Sequence, residues 1–93
     1  MDIKEFFCHN RYTVICEDHT ETDQVIDICK EAGLPIYGSH DRYGSYIHPH
    51  WNENAQHISF YCDVRRAPNA ILFSDFMSMY YNQSASIEVG DLL

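Results

Sequence analysis

The chain predicts a small α+β domain of two layers, a mixed or antiparallel sheet with one helix packed on a face and a second, short helix towards the C-terminal end. Three observations carry that reading. Tyr12, Val14 and Cys16 alternate with Thr13, Ile15 and Glu17, the period of a strand. Val25, Ile28, Cys29 and Ala32 recur at helical spacing and end at Gly33. Ser45 to Trp51 and Gln56 to Cys62 read as two strands about a polar loop, Asn52-Glu53-Asn54-Ala55.

Each element follows in order. The first strand is apolar and β-branched on both faces, which predicts a central position covered on both sides. Glu17-Asp18-His19 closes it in a polar turn. Thr20 stands where a helix N-cap is expected, with Asp23 three residues on. The helix then runs over 21–32, with Ile26 beside the apolar stripe, Gly33 at the C′ position and Pro35 blocking continuation. Pro35-Ile36-Tyr37-Gly38 suits a short second strand, and 39–45 is turn-rich. In the hairpin Ile58, Phe60 and Cys62 face one side and His57, Ser59 and Tyr61 the other. Pro49 demotes the first hairpin strand to an edge or breaks it. Arg65-Arg66-Ala67-Pro68-Asn69 reads as a loop and 70–73 as a short apolar strand. Ser74 suits the N-cap of a helix over 75–81 with Phe76, Met77 and Tyr80 on its apolar face. A single domain over 1–82 and a tail over 83–93, with one short strand at 86–89, complete the organisation.

Charge is the strongest functional signal. Fourteen acidic residues oppose six basic ones in 93, a net charge of -8. Nucleic-acid binding draws on Lys and Arg at phosphates, so direct binding to DNA or RNA is not expected, nor is binding to an anionic membrane surface. With 45% apolar residues the chain is too hydrophobic to be disordered. It has no apolar run near the roughly 18 residues of a membrane helix, and its first residues lack the pattern of a signal peptide. A cytoplasmic setting with four reduced cysteines is the expectation.

Asp23, Asp27 and Glu31 stand at i, i+4 and i+8 on the helix, opposite its apolar stripe. Like charges so spaced destabilise a helix by about 0.2–0.5 kcal/mol per pair. With Glu17, Asp18 and Glu21 just upstream they form either an ordinary solvated face or a surface for a basic partner. Tyr43, Tyr46 and Trp51 are candidate aromatic anchors for the same contact. A self-complementary surface on the hairpin leaves a homodimer open.

Other chemistry finds less support. Cys16, His19, His48 and His50 are the best candidate zinc ligands, yet no closely spaced cysteine pair accompanies them. The alternative is that Cys16, Cys29 and Cys62 are small core residues and the histidines lie on the surface. Cys8 beside His9 is the cysteine expected to be exposed, but the surrounding acidity opposes a thiolate nucleophile. The Arg65-Arg66 pair suits a solvated loop, or an anion such as a nucleotide in a pocket of Tyr and Trp. Neither an enzyme nor a bound cofactor is expected.

From the first strand to the closing run Ile71-Leu72-Phe73-Ser74-Asp75-Phe76, residues 11–81 resemble small accessory proteins of tailed bacteriophages. The resemblance implies a compact α+β domain that binds and inhibits host machinery or an antiviral defence in the host cytoplasm. Together with the charge, it yields the expectation of a non-enzymatic inhibitor occupying a basic, nucleic-acid-binding surface of a host protein. A module sequestering a nucleotide or zinc is the alternative.

Overall fold

The computed structural model describes residues 1–37 and 46–81, an α+β fold. The expected turn at 39–45, the candidate anchor Tyr43, the start of the hairpin at Ser45 and the tail with its strand at 86–89 lie outside the described residues.

Thr13–Ile15 form strand β1, His48–Asn52 and His57–Tyr61 the hairpin strands β2 and β3, and Ala70–Leu72 strand β4. Helix α1 spans His19–Glu31, and residues 73–81 are helical (α2). β4 lies parallel to β1, pairing Val14 with Ile71 and Ile15 with Leu72. β2 and β3 are antiparallel, pairing Pro49 with Phe60 and Trp51 with Ile58. Where one sheet is expected, the described residues form two two-stranded sheets, one parallel and one antiparallel.

The division has a chemical cause. Pro49 has no N–H, so its pair with Phe60 must be a non-hydrogen-bonded one. The missing donor then falls on the outer edge of β2, where a further ladder needs it. β1 runs against β2 all the same. They are joined by a side chain, the Cys16 amide donating to Nδ1 of His48 at 3.1 Å. Pro49 itself is fully buried, so the expected edge strand is an edge in its hydrogen bonding but not in its exposure. The expected strand at 35–38 reduces to one bridge. Ile58 donates to the Pro35 carbonyl and Tyr37 to that of Ile58, both at 2.8 Å.

α1 begins two residues earlier than its spacing suggests. Asp18, in extended backbone, is the N-cap and accepts the Glu21 amide at 2.9 Å. Glu21 reaches back to the Glu17 amide at 2.8 Å, so Asp18-His19-Thr20-Glu21 is a capping box and Thr20 lies inside the helix. The other end fulfils expectation. Gly33 has φ +84°, its amide donates to Lys30 and that of Leu34 to Cys29, a Schellman motif. Thr22, Val25, Ile26, Ile28 and Cys29 are buried. The Thr22 hydroxyl donates to the Ile47 carbonyl at 2.8 Å and ties α1 to the residue before β2.

At the N-terminal end, where no element is anticipated, Glu5–His9 form a π-type turn closed by the Asn10 amide on the Glu5 carbonyl at 2.8 Å. It sends Phe6 and Phe7 inward against Phe76, with ring centroids 5.1 and 6.1 Å away. These rings join Val14, Val25, Cys29 and Ile58 in one core. Phe76 is carried by α2, which starts at 73, so Ser74 falls within the helix and is not its cap.

Candidate functional site

α1 packs one face into the core and turns the other outward. Asp23, Asp27 and Glu31 are all exposed on that outer face, where their spacing places them. The upstream acids are partly engaged. Asp18 caps the helix and Glu21 holds the Glu17 amide, while the Glu17 carboxylate is exposed. Tyr46 is 48% exposed, and Trp51 is half-buried, packed against the core.

The four candidate metal ligands do not assemble. Cys16 is buried, its Sγ 3.9 Å from the Val14 carbonyl oxygen, and burial pushes its thiol up to about 12. His48 is buried rather than on the surface, and its Nδ1 is occupied by the Cys16 amide. His50 stacks on Tyr61 at 3.8 Å, and His19 is exposed on the first turn of α1. Among the described residues no three of His, Cys, Asp and Glu gather in a geometry that holds a metal. Burial lowers the pKa of both His48 and His50.

The cysteines divide differently from expectation. Cys8 is half-buried, its pKa raised by burial, and Cys62 is the exposed one. The Cys62 side chain beside Tyr46 raises the pKa of that phenol. Its place one residue past β3 leaves it outside the core that Ile58 enters.

Two concavities are lined by candidate site residues. One is a cleft of about 440 Å³ lined by Arg11, His50, Trp51, Asn52, Glu53 and Tyr61 among others. Arg11 pairs with Glu53 at 2.8 Å and holds φ +60°, a left-handed conformation seldom adopted by arginine. The expected basic cluster is elsewhere. Arg65 folds onto Asp63, with nitrogens 3.1 and 3.2 Å from its two carboxylate oxygens, and lowers the pKa of Asp63. The second concavity, about 120 Å³, is lined by Glu17, Glu21, Leu72, Phe73 and Ser74. Sequence spacing has no signal for it, because residues some fifty positions apart meet there only through the β1–β4 pairing.

Among the described residues no helix is long and apolar enough to cross a membrane. No protein family, curated protein or solved structure matches the chain.

Proposed function

We propose that this chain is a small, non-enzymatic binding protein that presents an acidic helix face to a basic surface of another protein and blocks that surface. The observation that carries the reading is the outer face of α1, where Asp23, Asp27 and Glu31 are exposed while the helix is anchored through its opposite face. A rigid row of carboxylates on a chain of net charge -8 attracts and orients a cationic surface. Following the resemblance to phage accessory proteins, the partner is a nucleic-acid-handling protein of an infected bacterial host.

Capture from bacterial lysate on immobilised chain, with mass spectrometry of what is retained, tests this reading. A basic protein should be retained at low salt and released as screening shortens to about 8 Å near physiological ionic strength and below that at higher salt. Reversing Asp23, Asp27 and Glu31 to lysine should abolish retention. Unchanged retention by that folded variant removes the mechanism.

The cleft beside Arg11 favours a second reading, a module that sequesters a small ligand such as a nucleotide. Its volume falls within the range of ligand pockets, about 300–1,000 Å³, and Trp51, Tyr61 and Arg11 are residues that suit a base and a phosphate. A nucleotide that binds only the folded chain must raise its melting temperature. A flat thermal-shift response across nucleotides at millimolar concentration rejects this reading.

A further inference from the structure

The groove at the C-terminal ends of β1 and β4 has a chemistry distinct from that of the helix face. It is lined by Leu72, 58% exposed, with Phe73 and Ser74, and by Glu17 and Glu21. Among the described residues β4 has a strand on one side only, and an exposed leucine stands at its C-terminal end. Such an edge accepts an added strand, with pockets for alternate side chains providing selectivity.

Charge decides which side chains. The groove lies at the N-terminal ends of α1 and α2, each equivalent to roughly +0.5 charge. Glu17 and Glu21 line the groove, and the Asp18 carboxylate caps α1 between them in sequence, so the balance is negative and an anionic occupant is disfavoured. Glu21 gives one oxygen to the Glu17 amide and keeps further acceptor capacity, as does the exposed Glu17. A long cationic side chain matches both parts, its methylene stem on apolar surface and its head at the carboxylates.

We infer that the edge of β4 with no strand beside it among the described residues seats an extended, basic segment of a partner protein, with one lysine or arginine lying over Leu72 and Phe73 and ending between Glu17 and Glu21. The inference rests on the reading of this chain as a binder of basic proteins and names the element of the partner that docks.

The probe is a seven-residue peptide alternating lysine with valine, titrated into the full ¹⁵N,¹³C-labelled chain, alongside a control in which glutamine replaces each lysine. The lysine peptide should shift the Leu72 methyl and Ser74 amide signals saturably. E17Q/E21Q, which keeps an acceptor for the Glu17 amide, should bind about tenfold more weakly, the scale of one or two charge-assisted contacts. Absence of saturable shifts at Leu72 and Ser74 overturns the inference, as does equal binding by the glutamine control or by the double variant. Lysine-peptide shifts confined to Asp23, Asp27 and Glu31 overturn it too, while leaving the acidic-helix reading standing. Saturable shifts at the groove, together with lysate capture that survives reversal of the α1 stripe, support the groove and reject the helix face as the contact.

Discussion

His48 is buried where β1 approaches β2. A histidine two positions from another, flanking a proline, reads as surface, and only the long-range approach of β1 to β2 puts it in the interior. There it does backbone work, accepting the Cys16 amide that a regular ladder would have paired. The task requires a neutral ring with its proton on Nε2. Burial depresses the folded-state pKa of His48, and of His50 likewise. Above the unfolded value of about 6.5 both states are neutral and these residues add no pH dependence. As pH falls below it the unfolded chain takes up protons that the folded chain refuses. Stability then declines by at most about 1.4 kcal/mol per pH unit for each histidine until the folded pKa is reached. The depressed Asp63 carboxylate acts in a separate window, with stability lost only below the ordinary carboxylate range. Urea midpoints should therefore be highest near pH 7 to 7.5, fall between 6.5 and 5, and fall again above about pH 8 as the unfolded chain ionises thiols that burial keeps protonated in Cys8, Cys16 and Cys29. In H48Q, whose amide oxygen still accepts from Cys16, roughly half of the acid-side slope should vanish. Identical slopes in the two proteins contradict the assigned role.

At the scale of the element, what was readable is what is local. The stripe of Val25, Ile28 and Cys29, the stop at Gly33 and the hairpin about residues 52–56 are encoded within a few residues of one another, and they form. The start of α1 is also local, yet two cap patterns overlap there. Thr20 with Asp23 competes with Asp18 and Glu21, and glutamate three residues after the cap closes the box better than aspartate does. The variants separate them. D18A should cost about 1 kcal/mol, the usual loss for an N-cap side chain, while T20A should stay within about 0.5 kcal/mol as an exposed helix site. The same measurement on G33A should show a loss near 1 kcal/mol or more, since φ +84° is unfavourable for a residue with a Cβ. The π-type turn has no local signal, for the opposite reason. Phe6 and Phe7 are adjacent, fit neither helical nor strand alternation, and are explained only by Phe76, some seventy residues away.

For the whole molecule the question is whether the acidic surface is incidental. The core rests on a few fully buried rings and aliphatic side chains, in a domain of a size whose total stability is about 5–15 kcal/mol. Repulsion within α1 draws on that margin. Asp27 sits between Asp23 and Glu31 and takes part in both like-charge pairs at four-residue spacing. D27N removes both, together with the attraction to Lys30 three residues on, and at about 0.2–0.5 kcal/mol per pair the balance should stabilise the chain by about 0.2–0.5 kcal/mol at low ionic strength. D27K makes the Asp23 spacing attractive and should stabilise further. Both gains should shrink in high salt, where the screening length falls to about 3 Å at 1 M. Gains that shrink with salt mean that the native carboxylate is kept at a cost to stability, as expected for a surface that meets a partner. Loss of stability in D27N at low salt means instead that the carboxylate supports the fold, and the case for α1 as a contact face then loses its energetic argument.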